Sequence, residues 1–309
     1  MKVREGLVRE ARRLFGEDVA ENEALARHCS FRIGGEAALF LRARQISALR
    51  KALAFCRENS VPFVVLGRGT NVLVPDSRFE GMVIGVRASG VQFEGKRLVA
   101  EAGASLQQVA EGAVERGLAG MEFCIGIPGS VGGAVIMNAG AHGGCIGDLV
   151  EEVTGFDPLG GEVRFGKGDL RFGYRESSLQ EFPGIVATAT LGLDWGDSRA
   201  IREKMDRLWA VRRKTQPTGV RCAGSVFRNP PDDPAGKLIE LAGCKGMRRG
   251  GAAVSRKHAN FIVNRGGASY SDVKGLIEAV RERVRMVHGV ELELEIIDLG
   301  EKACTPDIA

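Results

Sequence analysis

The 309-residue sequence predicts an α+β protein, with two glycine-rich loops in one half and a smaller α/β half after about residue 200. Three patterns carry that expectation. In "DVKGLIEAVRERVRMVHG", Val273, Leu276, Ile277, Val280, Val284 and Val287 recur at helical spacing, and Gly289 closes the run. "GMVIGV" and "RLVAEAGA" alternate as strands do. Between such elements lie "LGRGTNVLV" and "IGIPGSVGGAVIMNAGAHGG". The second holds seven glycines in residues 125–144, too long for a turn and too apolar for a linker.

Taken in order, residues 1–27 read as an amphipathic helix with Leu7, Ala11 and Leu14 on one face. "SFRIGGEAALFLRAR" reads as a strand broken at Gly34–Gly35. "SALRKALAFCRENS" is helical, with Ser47 as its cap. "VPFVVLG" is a short buried strand that runs into the first glycine loop. "SLQQVAEGAVERGLAG" is a helix in which Ser105 and Gln108 fit a capping box and Gly117 a stop. After the second glycine stretch come strand-like "LVEEVTGFD", "GEVRF" and "GIVATATLGLDW", then a helix over 197–214. "QPTGVRCAG" at 216–224 is the main candidate boundary. The last element, "VELELEIIDLG", alternates strictly and reads as a strand.

Composition narrows the function. The net charge of +4 is spread over short basic runs, with two Trp and two Tyr, which does not suit a nucleic-acid groove. No stretch approaches the ~18 apolar residues that a membrane span needs. The charged start has no apolar core for a signal peptide, so a cytoplasmic protein is expected. Seven scattered cysteines, including Cys304, form no C-x-x-C pair and read as reduced thiols. The four histidines lack metal-ligand spacing, so no metal is expected.

Glycine permits positive φ and removes the Cβ that would hold a ligand away. Successive N–H groups in such turns converge on an anion. Neither loop fits G-x-G-x-x-G or the P-loop pattern. The expectation is a phosphate-bearing cofactor bound outside both standard frameworks.

"SFRIGG", "GRGTNVLVPD", "GIPGSVGGAVIMNAGAHGG", "YRESSL", "AGSVFRNP" and "HANFIVN" occur in this order. The set, spanning about residues 25–300, resembles the UDP-N-acetylenolpyruvoylglucosamine reductase family, flavoenzymes of peptidoglycan precursor synthesis. The resemblance implies a helical segment over 1–31 and an FAD-binding domain of the vanillyl-alcohol-oxidase type over 32–196, built of two α/β subdomains. It further implies a substrate-binding domain over 197–290 and a final strand with tail over 291–309. Non-covalent FAD would lie along Gly67, Arg68, Gly69, Thr70 and Asn71. It would continue along Gly126, Ile127, Pro128, Gly129, Ser130, Gly132 and Gly133, then Asn138, Ala139 and Gly140. NADPH would supply hydride and a UDP-linked enolpyruvyl sugar would receive it.

The family pattern gives Arg175 the substrate carboxylate, Ser225 the proton donation, and Glu295 a place beside Arg175 or the developing anion. Tyr174, Lys214 and Asn229 would contact substrate. His142 and His258 fall in matching segments without assigned chemistry. Only the resemblance selects Glu295 over Glu291 and Glu293, which alternation places on the same face. The short stretch from Arg175 to Leu191 fits the subclass that lacks a tyrosine-bearing loop over the substrate. A monomer is expected. The alternatives are a flavin oxidoreductase of the same fold with another substrate, and a non-catalytic flavin- or nucleotide-binding module.

Overall fold

The computed structural model describes residues 5–301. Cys304 therefore lies outside the described residues. The first sheet has four strands in the order Val19–Ala24, Glu36–Ala43, Phe79–Val86, Phe63–Leu66. Its first pair is antiparallel and the other two are parallel. Helix Ile46–Glu58 crosses from Glu36–Ala43 to Phe63–Leu66, which run parallel on either side of Phe79–Val86. The second sheet has five antiparallel strands in the order Glu162–Gly166, Val150–Phe156, Ile185–Gly192, Arg97–Glu101, Val91–Glu94.

Strand Glu36–Ala43 reads "EAALFLRA" because both of its faces are covered. Leu39, Leu41 and Ala43 enter a core shared by both sheets. Phe40 enters a second core built mainly from the C-terminal half. That second core gathers Phe31, Leu73 and Val83 against Phe227, Ile239 and the buried face of helix Tyr270–His288. A three-stranded sheet, Arg248–Arg249, Ala252–Val254 and Ile262–Asn264, completes the C-terminal half. Burial of these apolar faces is what docks the C-terminal half on the loops of the first sheet.

Several local expectations change. The N-terminal helix runs from Glu5 to Phe15, not to residue 27. Gly16, at φ +57°, stops it, and Val19–Ala24 pairs with Glu36–Ala43 instead. Ala11 is buried on the helix, but Leu14 is 40% exposed. Ser47 does not cap its helix, which starts after Gln45. Ser105 occupies an N-cap position, but its hydroxyl makes no capping bond. Within the second glycine stretch, Val131–Ile136 is a helix, with Ser130 Oγ accepting from Gly133 N at 3.4 Å.

The closing alternation does not build a long ladder. Only Ile297–Asp298 is a strand, paired parallel with Val72–Leu73. Upstream, Glu295 N donates to Val226 O at 2.8 Å and Arg228 N donates to Glu293 O at 2.9 Å. The segment is extended, with Leu292 and Ile296 buried, but its partners are loops.

Candidate active site

One cavity of about 910 Å³ is lined by residues 66–72, by much of 127–142, and by Arg175, Ser225 and Glu295. The chain brings these distant segments together through a short series of backbone bonds. Glu295 N donates to Val226 O at 2.8 Å, and Ile297 N donates to Asn71 O at 2.9 Å. Asn71 Nδ2 donates to Glu295 O at 3.1 Å. The first glycine loop, the serine segment and the Glu295 segment are therefore neighbours, and none can shift without its partners.

Arg175 sits at φ +58°, a left-handed conformation that costs a residue with a Cβ about 1–2 kcal/mol. Its carbonyl accepts from Gln180 Nε2 at 2.9 Å, and its Nε donates to Glu295 Oε1 at 2.6 Å. The two side chains are 22% and 13% exposed. Burial pushes the Glu295 carboxyl above its ordinary value, while the Arg175 guanidinium pulls it down. Glu291 and Glu293 are exposed, so one of the three alternating glutamates is turned into the cleft.

Ser225 is half-buried on the cavity wall, and its hydroxyl bonds to no protein group among the described residues. Arg212 also lines the cavity; burial and the nearby Arg175 charge lower its pKa. Arg68, Arg175, Arg212, Lys237 and Lys257 line the cavity against Glu240 and Glu295, an excess of positive charge that suits an anionic ligand.

The walls fit FAD. Among the described residues, the N–H groups of Arg68, Gly69 and Thr70 have no hydrogen-bond acceptor, nor do those of Gly129 and Ser130. Unmet N–H groups on a cavity wall are a costly arrangement unless water or a ligand accepts from them. Gly69, at φ +64°, alternates the backbone as an anion nest does. A Cβ on Gly67 would stand 2.7 Å from Ser130 Oγ, the point where the two glycine loops approach. Apolar Ile127, Ala134, Ile136, Leu179, Phe182 and Val186 also line the cavity and suit a planar ring.

The other predicted positions divide between the lining and the surrounding structure. Gly126 is off the lining, and its missing Cβ makes room for the Trp209 ring. Gly132 does line the cavity, but a Cβ there would stand 2.7 Å from that of Ala102. Asn138 is buried off the lining: its amide donates to Gly173 O at 2.7 Å and its Oδ1 accepts from Gly147 N at 2.9 Å. Ala139 and Gly140 line the cavity.

Tyr174 is 51% exposed and off the lining; its hydroxyl accepts from Asn229 N at 3.3 Å. Asn229 lines the cavity, and its Oδ1 accepts from Ala235 N at 3.0 Å. Lys214 is exposed and points away. Lys237, Lys257 and Arg212 supply the cations there instead. Lys257 immediately precedes the quoted "HANFIVN" and His258 opens it, so a signal for them existed in the sequence. His258 lines the cavity, with burial and Lys245 pushing its pKa down, and His142 lines it too.

A family model for an FAD binding domain matches residues 37–166. A second, described as the C-terminal domain of UDP-N-acetylenolpyruvoylglucosamine reductase, matches residues 216–298. The UDP-N-acetylenolpyruvoylglucosamine reductase of Heliobacterium modesticaldum is 45% identical over 284 residues, covering 91% of this chain and 90% of the relative. That of Moorella thermoacetica is also 45% identical over 284 residues, covering 92% and 94%. The crystal structure of the Thermus caldophilus reductase is similar with a TM-score of 0.78 at 34% identity, covering 89% of this chain and 97% of that one.

Proposed function

The chain belongs to the UDP-N-acetylenolpyruvoylglucosamine reductase family, and on that premise we propose how its own residues reduce UDP-N-acetylenolpyruvoylglucosamine to UDP-N-acetylmuramate. The reaction is a step of peptidoglycan precursor synthesis and consumes NADPH. The observation that carries the reading is the Arg175–Glu295 pair, set in the wall of the cavity that both glycine loops also line.

FAD held there would supply the hydride chemistry, linking NADPH to the methylene carbon of the enolpyruvyl group. The residues that would hold it are Gly67 to Asn71, through the N–H groups of Arg68, Gly69 and Thr70, and Pro128 to Gly133 with Ala139 and Gly140. One hydride and one proton add across the carbon–carbon double bond. Negative charge grows on the substrate carboxylate as hydride arrives.

Arg175 meets that charge. Its Nε is committed to Glu295, which leaves both terminal nitrogens to face a carboxylate as a planar fork. Glu295 therefore acts first by aiming the guanidinium. Ser225, whose hydroxyl is not engaged by the protein, donates the proton to the carbon beside the carboxylate. A serine hydroxyl is a weak acid in water, but an enolate of a carboxylate is a strong base, so the transfer is favourable once the substrate carbon sits against the hydroxyl. Arg212, Lys237 and Lys257 face the phosphates of the UDP moiety, with Asn229 at the rim.

We further propose that residues 32–196 hold the cofactor and 197–290 the substrate, with residues 291–298 carrying Glu295 back to the first glycine loop. The protein acts in the cytoplasm as a monomer. The test is NADPH oxidation by the purified yellow protein with and without the UDP-linked enolpyruvyl sugar. Stoichiometric formation of UDP-N-acetylmuramate supports the reading. NADPH oxidation that the sugar does not stimulate contradicts it.

A further inference from the structure

Arg87 takes no part in the chemistry above, yet it lies directly behind the first glycine loop. One of its amino groups, Nη1, donates to Gly67 O at 2.7 Å and to Val86 O at 2.9 Å. Both hydrogens of that nitrogen are thereby used. The guanidinium is half-buried, and among the described residues no carboxylate lies within ion-pair distance of it. Its charged neighbours are Arg68 and Arg42, and with burial they lower its pKa. Glu23, the carboxylate paired with Arg42, is also bonded to His28.

The bond to Gly67 O has a specific consequence. Gly67 C=O and Arg68 N–H belong to one peptide unit, and no cis peptide bond occurs among the described residues. In a trans amide the C=O and N–H point in opposite directions. Holding the carbonyl from behind therefore aims the N–H of Arg68 forward, where the loop lines the cavity. The next alternate unit is treated likewise: Gly69 O accepts from Ser30 N at 2.9 Å, which turns Thr70 N–H the other way. A cation bonded to the carbonyl end also polarises the amide and makes its N–H a better donor.

We propose that Arg87 is a positioning residue for the FAD diphosphate: it fixes the Gly67–Arg68 peptide with its N–H toward the anion, and its own charge is balanced only when that anion is bound. The inference rests on FAD occupying this cavity. It concerns a residue that touches the loop rather than the cofactor. A half-buried cation without a counter-ion is costly in the free protein, so anion binding recovers part of that cost.

The experiment is a fluorescence titration of apo-protein with FAD and, separately, with riboflavin, which carries no phosphate. Arg87→Met should raise the Kd for FAD at least about tenfold, the scale of a hydrogen bond from a charged group. Its Kd for riboflavin should stay within about twofold of wild type, because the ring wall is untouched. Arg87→Lys keeps the charge but lacks the rigid fork, so its FAD affinity should fall between the two. Equal weakening for FAD and riboflavin would mean a general loss of loop structure and would overturn the proposal. FAD affinity unchanged in Arg87→Met, or wild-type affinity in Arg87→Lys, would overturn it as well. Wild-type apo-protein that takes up no FAD would remove the cofactor reading itself, which separates that failure from the others.

Discussion

The two walls of the cavity work by different means. The wall formed by residues 67–71 and 128–133 offers main-chain N–H groups, and its side chains are mostly absent or small. The adjoining wall offers side chains: a guanidinium from Arg175, a hydroxyl from Ser225, a carboxylate from Glu295. A diphosphate needs only donors at fixed spacing, which backbone supplies. A carboxylate beside a reacting double bond needs a charge and a proton at particular atoms, which backbone cannot supply. The same contrast separates what each wall tolerates. A main-chain site is lost through conformation, whereas a side-chain site is lost through chemistry.

The largest effect on the main-chain wall is expected at Gly69. Its φ is +64°, and a Cβ would run into the carbonyl of His28 and stand 2.8 Å from Cys29 Cα. Gly69→Ala should displace the loop and weaken FAD binding about a hundredfold, on the scale of two lost hydrogen bonds. Flavin content of the purified variant reads this directly. Retained FAD at wild-type affinity would break the contrast, because the loop would then not depend on its conformation.

On the side-chain wall, Glu295→Gln keeps the shape and removes the charge that aims Arg175. Burial raises the carboxyl pKa above the ordinary 4.5. As pH falls through that raised value the wild type loses the ion pair, so its kcat/KM should decline on the acid side. The variant should lack this limb and run about tenfold or more slower at neutral pH. Stability should move in the opposite sense. A carboxyl whose folded pKa exceeds its unfolded value stabilises the fold most at low pH, and that contribution fades as pH rises through the folded value. The denaturant midpoint of the wild type, relative to Glu295→Gln, should therefore fall with rising pH across that window.

Two smaller effects sharpen the comparison from within the glycine-rich segments. Gly126, at φ +71°, lies off the cavity, and a Cβ there would stand 2.6 Å from Trp209 Cε3. Gly126→Ala should cost about 1–3 kcal/mol and lower Tm by several degrees. Its FAD affinity, measured at a temperature where it is folded, should change little. Lys214→Ala should leave KM for the sugar substrate within about twofold, because an exposed lysine off the cavity contributes little.

Those glycines show where the sequence was legible and where it was not. The helix Tyr270–His288 could be read almost to its ends, because its cues are local. Val273 to Val284 form the buried stripe and Gly289 the left-handed stop at φ +69°, as the spacing predicts, while Val287 is 49% exposed and the Ser269–Asp272 capping box lies outside that prediction. The glycine stretches could be placed as loops near a ligand for the same reason. Which glycine admits a ligand and which admits another part of the protein could not be read. Gly126 is paired with Trp209 and Gly132 with Ala102, and such partners are set by the tertiary fold.

Lys214 and Arg212 make the same point on a helix. Two residues apart, they face nearly opposite directions, so only the phase of helix Ser198–Thr215 decides which cation enters the cavity. Likewise "VELELEIIDLG" showed its period but not its partners, which are irregular segments at Val226 and Asn71 rather than a sheet edge.

The most direct measurement is rapid-mixing kinetics on Ser225→Ala, following flavin absorbance in each half of the reaction. Reduction of bound flavin by NADPH should proceed within about twofold of wild type, because the main-chain wall is unchanged. Reoxidation by the enolpyruvyl substrate should slow about 10²–10⁴-fold, the scale of a lost general acid. If both rates fell together, or if neither did, the division of labour between the two walls would be contradicted.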